Sequence, residues 1–188
     1  MSKAIIAALG AALIALGTSG VVWSGHDGDH ARGERHQGGG RGGLAPVSNG
    51  VYRTECGGCH FAYPPGLMTA ASWGTVMNTL DQHFGDDASL DPAVRTELLT
   101  YLQANAADRS NAKRSRSFAA GKLTGDGPPR ITENTYFKRK HDEVPARYVK
   151  DNPQVKSFSH CAACHRSADK GVFDEHDVEI PGYGRFED

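Results

Sequence analysis

The 188-residue chain has little of what an aliphatic core is built from. Hydrophobic residues make up 38% and aromatic residues 8%, while glycine alone supplies 23 positions. Small domains so poor in apolar material usually need a staple, and a covalently held apolar group would relieve the shortage. No stretch alternates apolar and polar residues convincingly enough to read as a strand, and there is no long internal repeat. A large net charge is missing as well: Lys and Arg number 21, Asp and Glu 22. Nothing resembles a groove-reading helix, and the basic stretches lack interleaved stacking residues, so no nucleic-acid partner is expected.

What charge there is falls in blocks. Val51 to Ala107 carries two basic and six acidic residues, Lys113 to Lys150 ten basic and four acidic, and Asp151 to Asp188 four basic and eight acidic. A basic belt between acidic flanks is either solvated surface or a docking patch. The one long apolar run, Ala4 to Leu16, follows a positive start at Lys3 and precedes the small residues Gly17 to Gly20. Residues 1–23 are therefore expected to be a signal peptide, with an N-terminal anchor as the alternative, and the rest of the chain to be exported to the periplasm. Residues 24–46 are expected to be a flexible linker rich in Gly and His, in which His26, His30 and His36 lack regular ligand spacing.

The remainder reads as mainly α. A short helix is expected within Val47–Cys59, ahead of "CGGCH". Ser72 is expected to cap a helix over Trp73–Phe84, ended by Gly85, with Trp73, Val76, Met77, Leu80 and Phe84 as its apolar stripe. Asp91 should cap the next helix, with Pro92 at its first position and Val94, Leu98, Tyr101 and Leu102 facing the core. The polar, basic run from Asn105 to Ser117 marks a boundary between domains at 47–110 and 111–188. In the second half Thr132 is expected to cap a helix carrying Phe137, His141 and Val144, and a short helix after Pro153 to run into "CAACH". The tail reads as loop.

All four cysteines lie in two copies of one motif, Cys56-Gly-Gly-Cys59-His60 and Cys161-Ala-Ala-Cys164-His165. Cys-x-x-Cys-His is the c-type haem attachment signature. Two thiols on one helical turn reach two vinyl groups and form thioethers, and the histidine that follows lies under the iron as its fifth ligand. A redox disulfide prefers a βαβ context that is absent, and a four-cysteine zinc site would not require a histidine after each pair. Two covalently bound haem c groups are expected.

The sixth ligand decides between a closed iron, which shuttles electrons, and an open one, which binds oxygen or peroxide. For the first haem the candidates are Met68, Met77 and His83. Met68 lies eight residues past His60, and a span of about 26–29 Å is nearly exhausted in rounding a porphyrin edge. Met77 sits in the apolar stripe and reads as packing. His83 shares that stripe's face and is favoured. For the second haem His141 is favoured over His160 and His176; it aligns with Phe137 and Val144, whereas His176 lies among acidic residues. His160, before the first cysteine of its motif, is on the wrong side to reach the opposite face and is expected beside the haem edge. Two imidazoles per iron predict lower potentials than a Met/His pair.

The segments "ECGGCHFAYPPGL", "LDQHFGDDASLD", "YLQANAAD", "PRITE" followed by "FKRKH", and "VKSFSHCAACH" resemble the dihaem cytochrome c family over about residues 48–185. The resemblance implies a class I cytochrome c-like N-terminal haem domain and a small, loop-rich C-terminal haem domain. It implies close, bis-histidine, low-potential haems with His60 paired to His83 and His165 to His141. It also implies electron transfer from a membrane b-type cytochrome to a small oxygen-binding monohaem c-type cytochrome. Just before the second pair the family more often has asparagine, where this chain has His160. The expected protein is a monomeric electron carrier and not an enzyme. The alternative, a dihaem enzyme of peroxidase type, would need one open haem site.

Overall fold

Asn49 starts the first helix: in an extended conformation, its side-chain oxygen accepts the Tyr52 amide at 2.7 Å. The computed structural model describes residues 43–186. The expected signal segment and most of the expected linker lie outside them. Six α-helices follow in order: α1 Gly50–Gly57, α2 Ala70–Asn78, α3 Pro92–Ala104, α4 Lys113–Ala120, α5 Thr135–His141 and α6 Cys161–Cys164. Single 3-10 turns join several of them, and a two-stranded hairpin closes the described chain. The mainly α class is as expected. Among the described residues no helix is long and apolar enough to cross a membrane.

Helices α2 and α3 pack on each other and on α1 to form the first core, built from Val47, Tyr52, Trp73, Met77, Leu98 and Leu102. Asp91 caps α3 as expected, its Oδ1 accepting the Ala93 amide at 2.8 Å, with Pro92 in the first turn. The cap of α2 differs: Thr69, not Ser72, is the extended residue, and its Oγ1 accepts the Ser72 amide. This helix also stops at Asn78 instead of running to Phe84. The Thr79 hydroxyl bonds back to the Thr75 carbonyl at 3.0 Å, its backbone leaves the helical region at φ −127°, and a 3-10 turn at Leu80–Gln82 follows. Phe84 at φ 55° and Gly85 at φ 110° then reverse the chain, with the Asp86 amide donating to the His83 carbonyl. His83 thus stands at the mouth of a tight turn, beyond the helix.

The stretch Asn105–Ser117, read as a polar boundary between halves, carries buried structure of its own. Ala106, Ala107 and Ser115 are buried, a 3-10 turn spans Ala107–Arg109, and α4 packs on that turn and on the turn at Pro65–Leu67. Contact is so close that a Cβ on Gly66 would stand 2.5 Å from Ser115 Oγ. A face made of Ala and Ser leaves no apolar stripe to read. Phe118 joins Leu44, Leu67, Ala107 and Phe137 in a second core. Tyr63 and Ile131 pack against both cores.

Helix α5 is capped by Asn134 and not by Thr132. Its Oδ1 accepts the Tyr136 amide at 2.9 Å while its Nδ2 donates to the Phe118 carbonyl at 3.0 Å, tying α5 to α4. The helix ends at His141, so Val144 lies in the turn beyond it. Residues 153–159 form turns where a helix was expected, and α6 holds only the four residues of the cysteine motif. The tail, read as loop, contains the hairpin Glu179–Ile180 with Gly184–Arg185, registered Glu179 to Arg185. The ion pair between Arg166 and Glu179 and the bond from Asn152 Nδ2 to the Pro181 carbonyl fasten it down. Gly171, at φ 74°, accepts the Leu44 amide with its carbonyl at 2.8 Å, and the chains approach so closely there that any Cβ would collide with the Leu44 carbonyl.

Candidate haem-binding site

The first motif rides out of α1. Cys56 is half-buried on its last turn, Cys59 is exposed, and His60 follows. The His60 ring is fixed on two sides. Its Nδ1–H donates to the Phe61 carbonyl at 2.8 Å, and its face stacks on Tyr63 with ring centroids 5.1 Å apart. A carbonyl can only accept, so the proton is on Nδ1 and the Nε2 lone pair is free for a metal. The His83 ring lies 6.1 Å from that of His60, the planes 23° apart. Phe84 packs on the edge of His83, and the Arg130 guanidinium covers the Phe84 ring at 4.0 Å. Burial, and then the neighbouring His60, push the His83 imidazole below its ordinary pKa and keep it neutral.

The second motif is α6 itself, which places Cys161 and Cys164 one turn apart. His165 follows, with its Nδ1 buried and unpartnered. Its ring centroid lies 6.2 Å from that of His141, the planes 79° apart. Helix α5 delivers His141. Its Nδ1–H donates to the Phe137 carbonyl at 2.9 Å, its face stacks on Phe137 at 4.0 Å, and Phe158 meets it edge-on at 5.7 Å. Burial pushes the His165 imidazole down to about 4, with His141 and Arg114 adding to the shift, and burial lowers His141 too. Burial pushes the free thiols of Cys161 and Cys56 up to about 11. A cavity of about 520 Å³ opens beside the pair, walled by Ile131, Phe137, Val144, Phe158, Phe173 and Ile180 and reached by both cysteines. That is within the usual range for a small-molecule or cofactor pocket.

These residues fit haem. A metal–imidazole bond of about 2.0 Å plus about 1.1 Å to the ring centre puts two rings on opposite sides of one metal roughly 6 Å apart. Both histidine pairs meet that spacing. The cysteines of each motif are not joined to one another, and among the described residues no three His, Cys, Asp or Glu side chains gather as a metal cluster, so the four thiols do not assemble a zinc site. Met68 and Met77 are buried in the first core, as packing. His176 is exposed. His160 precedes α6, donates Nδ1–H to the Val155 carbonyl at 2.6 Å and reaches the wall of the same cavity. The sequence reading did not single out Tyr63 or Phe158. The signal available was an aromatic residue three positions after one motif histidine and three before the other motif's first cysteine.

The sequence profile of the dihaem cytochrome c family matches residues 52–173. Among solved structures, the dihaem cytochrome type c of Shewanella baltica OS155 is 45% identical, covering 74% of this chain and 98% of its own, with a TM-score of 0.62. A dihaem cytochrome c from Rhodobacter sphaeroides is 46% identical, covering 68% and 98%, with a TM-score of 0.58. Among curated proteins none matches. The chain belongs to the dihaem cytochrome c family. It carries two covalently bound haem c groups, attached through Cys56 and Cys59 and through Cys161 and Cys164. Such a protein is of the electron-transfer class: the haem, when bound, supplies a one-electron couple, and the chain supplies attachment, orientation and burial.

Proposed function

We propose that the chain is a periplasmic, low-potential electron carrier whose two haems are each closed by a pair of histidines, His60 with His83 and His165 with His141. The observation that carries this reading is the ring spacing: each motif histidine has one facing imidazole, at 6.1 Å and 6.2 Å. In His60 and His141, Nδ1 is committed to a carbonyl, which leaves Nε2 for the iron. Two imidazoles stabilise ferrous iron less well than an imidazole and a thioether, hence the low potentials. His83→Ala and His141→Ala, examined separately, should each turn one low-spin haem high-spin and leave the other unchanged. If neither substitution changes the spin state, the pairing is wrong.

The donor in this reading is a membrane b-type cytochrome and the acceptor a small oxygen-binding monohaem c-type cytochrome, as the family resemblance implies. Support for a charged docking face comes from the lining of the cavity at the second motif, where Lys113, Arg114, Arg139 and Lys140 outnumber Asp174 and Glu175. Such a face favours an acidic partner surface and makes association sensitive to salt. Electron transfer to the acceptor should slow as ionic strength rises; a rate independent of salt would remove the electrostatic part of the proposal. The signal-like segment supports export, which N-terminal sequencing of the protein from a periplasmic extract would test.

A further inference from the structure

We propose that Tyr63 is the positioning residue that couples the two haem sites, holding the first motif's histidine against the second motif's cysteine at a fixed distance. The Tyr63 ring stacks on His60, with centroids 5.1 Å apart and planes 30° apart. Its hydroxyl donates to the Ser159 carbonyl at 2.8 Å, across 96 residues of sequence. That carbonyl lies 3.7 Å from Cys161 Sγ. A continuous path therefore runs from the His60 imidazole through the Tyr63 ring and one hydrogen bond to the sulfur that attaches the second haem. The backbone at Tyr63 is pinned in turn, because the Tyr52 hydroxyl donates to the Tyr63 carbonyl at 2.9 Å. Tyr63 also packs against both hydrophobic cores.

With both haems in place the transfer would move one electron from one to the other with no bond made or broken, and the chain's part would be to hold the path. The Tyr63 hydroxyl keeps its proton throughout. It donates to a carbonyl, which can only accept, so the proton sits on the Tyr63 oxygen. Coupling along a path of one ring stack, one hydrogen bond and one carbonyl–sulfur contact depends on holding each of them in place. The hydroxyl is the one link in it that a conservative substitution removes without touching a haem attachment.

The inference rests on His60 being an iron ligand, and the two claims fail separately: the ligand reading fails in the spin state of the His83 and His141 variants. The test here is Tyr63→Phe in the full, haem-loaded protein, which keeps the stacked ring and loses only the hydroxyl. Intramolecular exchange between the haems, read by NMR in the half-reduced protein, is expected to fall severalfold while both midpoint potentials stay in place. A loss of packing alone would lower the melting temperature without that selective effect on exchange. An unchanged exchange rate in Tyr63→Phe would overturn the proposal. A second measurement needs no variant. In the fully reduced, diamagnetic wild-type protein the Tyr63 hydroxyl proton is expected as a slowly exchanging resonance with a dipolar contact to the Ser159–Cys161 segment, and its absence would also overturn the proposal.

Discussion

His141 donates its Nδ1–H to the carbonyl of Phe137, one turn earlier on the same helix, and stacks its face on the Phe137 ring at 4.0 Å. One residue therefore sets both the tautomer and the tilt of the second site's distal imidazole. Phe137 is itself 8% exposed and belongs to the second core. Phe137→Ala should cost about 3–5 kcal/mol in denaturant unfolding and convert part of the second haem to high spin. Phe137→Leu, which refills most of the volume, should restore stability further than it restores the low-spin signal. Equal recovery of both would mean that the ring only fills space.

Asn134 ties the helix that carries His141 to its neighbour, since its amide caps α5 and bonds the Phe118 carbonyl at the same time. Asn134→Ala removes both bonds at a position 5% exposed. Loss of the cap and of a buried hydrogen bond should lower stability by about 1–3 kcal/mol. The second haem's spectrum should broaden before the first's during thermal unfolding, because His83 is held by a different turn.

Acid should loosen the fold. Burial first, and His141 and Arg114 next, push the His165 imidazole from an ordinary 6.5 down to about 4 in the folded chain. His141 is lowered in the same direction by burial. Between these values the unfolded chain binds more protons than the folded one. The stability these groups contribute is therefore fully present above pH 6.5 and is lost as pH falls towards about 4. The slope is up to about 1.4 kcal/mol per pH unit for each group. Iron ligation acts in the same direction, because it needs the neutral imidazole. Denaturant midpoints at neutral pH and at about pH 5 check this, and a midpoint that did not fall on acidification would refute it.

The chemistry was more legible in the sequence than the scaffold. Attachment spacing is a local property, so Cys56, Cys59, Cys161 and Cys164 could be read directly. His141 does lie on a helix with Phe137, whereas His83 stands in the turn after α2 and off the helical stripe that favoured it. Helix caps were harder, because Thr69 and Ser72, or Thr132 and Asn134, are chemically equivalent candidates until the backbone shows which is extended. The buried role of α4 was hidden by composition: a buried face of only Ser115 and Phe118 among Lys and Arg leaves no apolar period. The hairpin at 179–185 pairs two residues with two, too short to alternate visibly. The bond from Tyr63 to Ser159 joins positions 96 apart and follows from the fold alone.

The most direct test of two bis-histidine haems is the electron paramagnetic resonance spectrum of the fully oxidised wild-type protein. Nearly parallel axial imidazoles split the iron d orbitals and give a rhombic low-spin signal, while nearly perpendicular ones leave them almost degenerate and give a strongly anisotropic one. The His60 and His83 planes are 23° apart and the His141 and His165 planes 79° apart. We predict one signal of each kind in equal spin count, with His83→Ala removing the rhombic signal and His141→Ala the anisotropic one. High-spin iron in the native protein, or a spectrum of methionine-ligated haem at either site, would contradict the pairing.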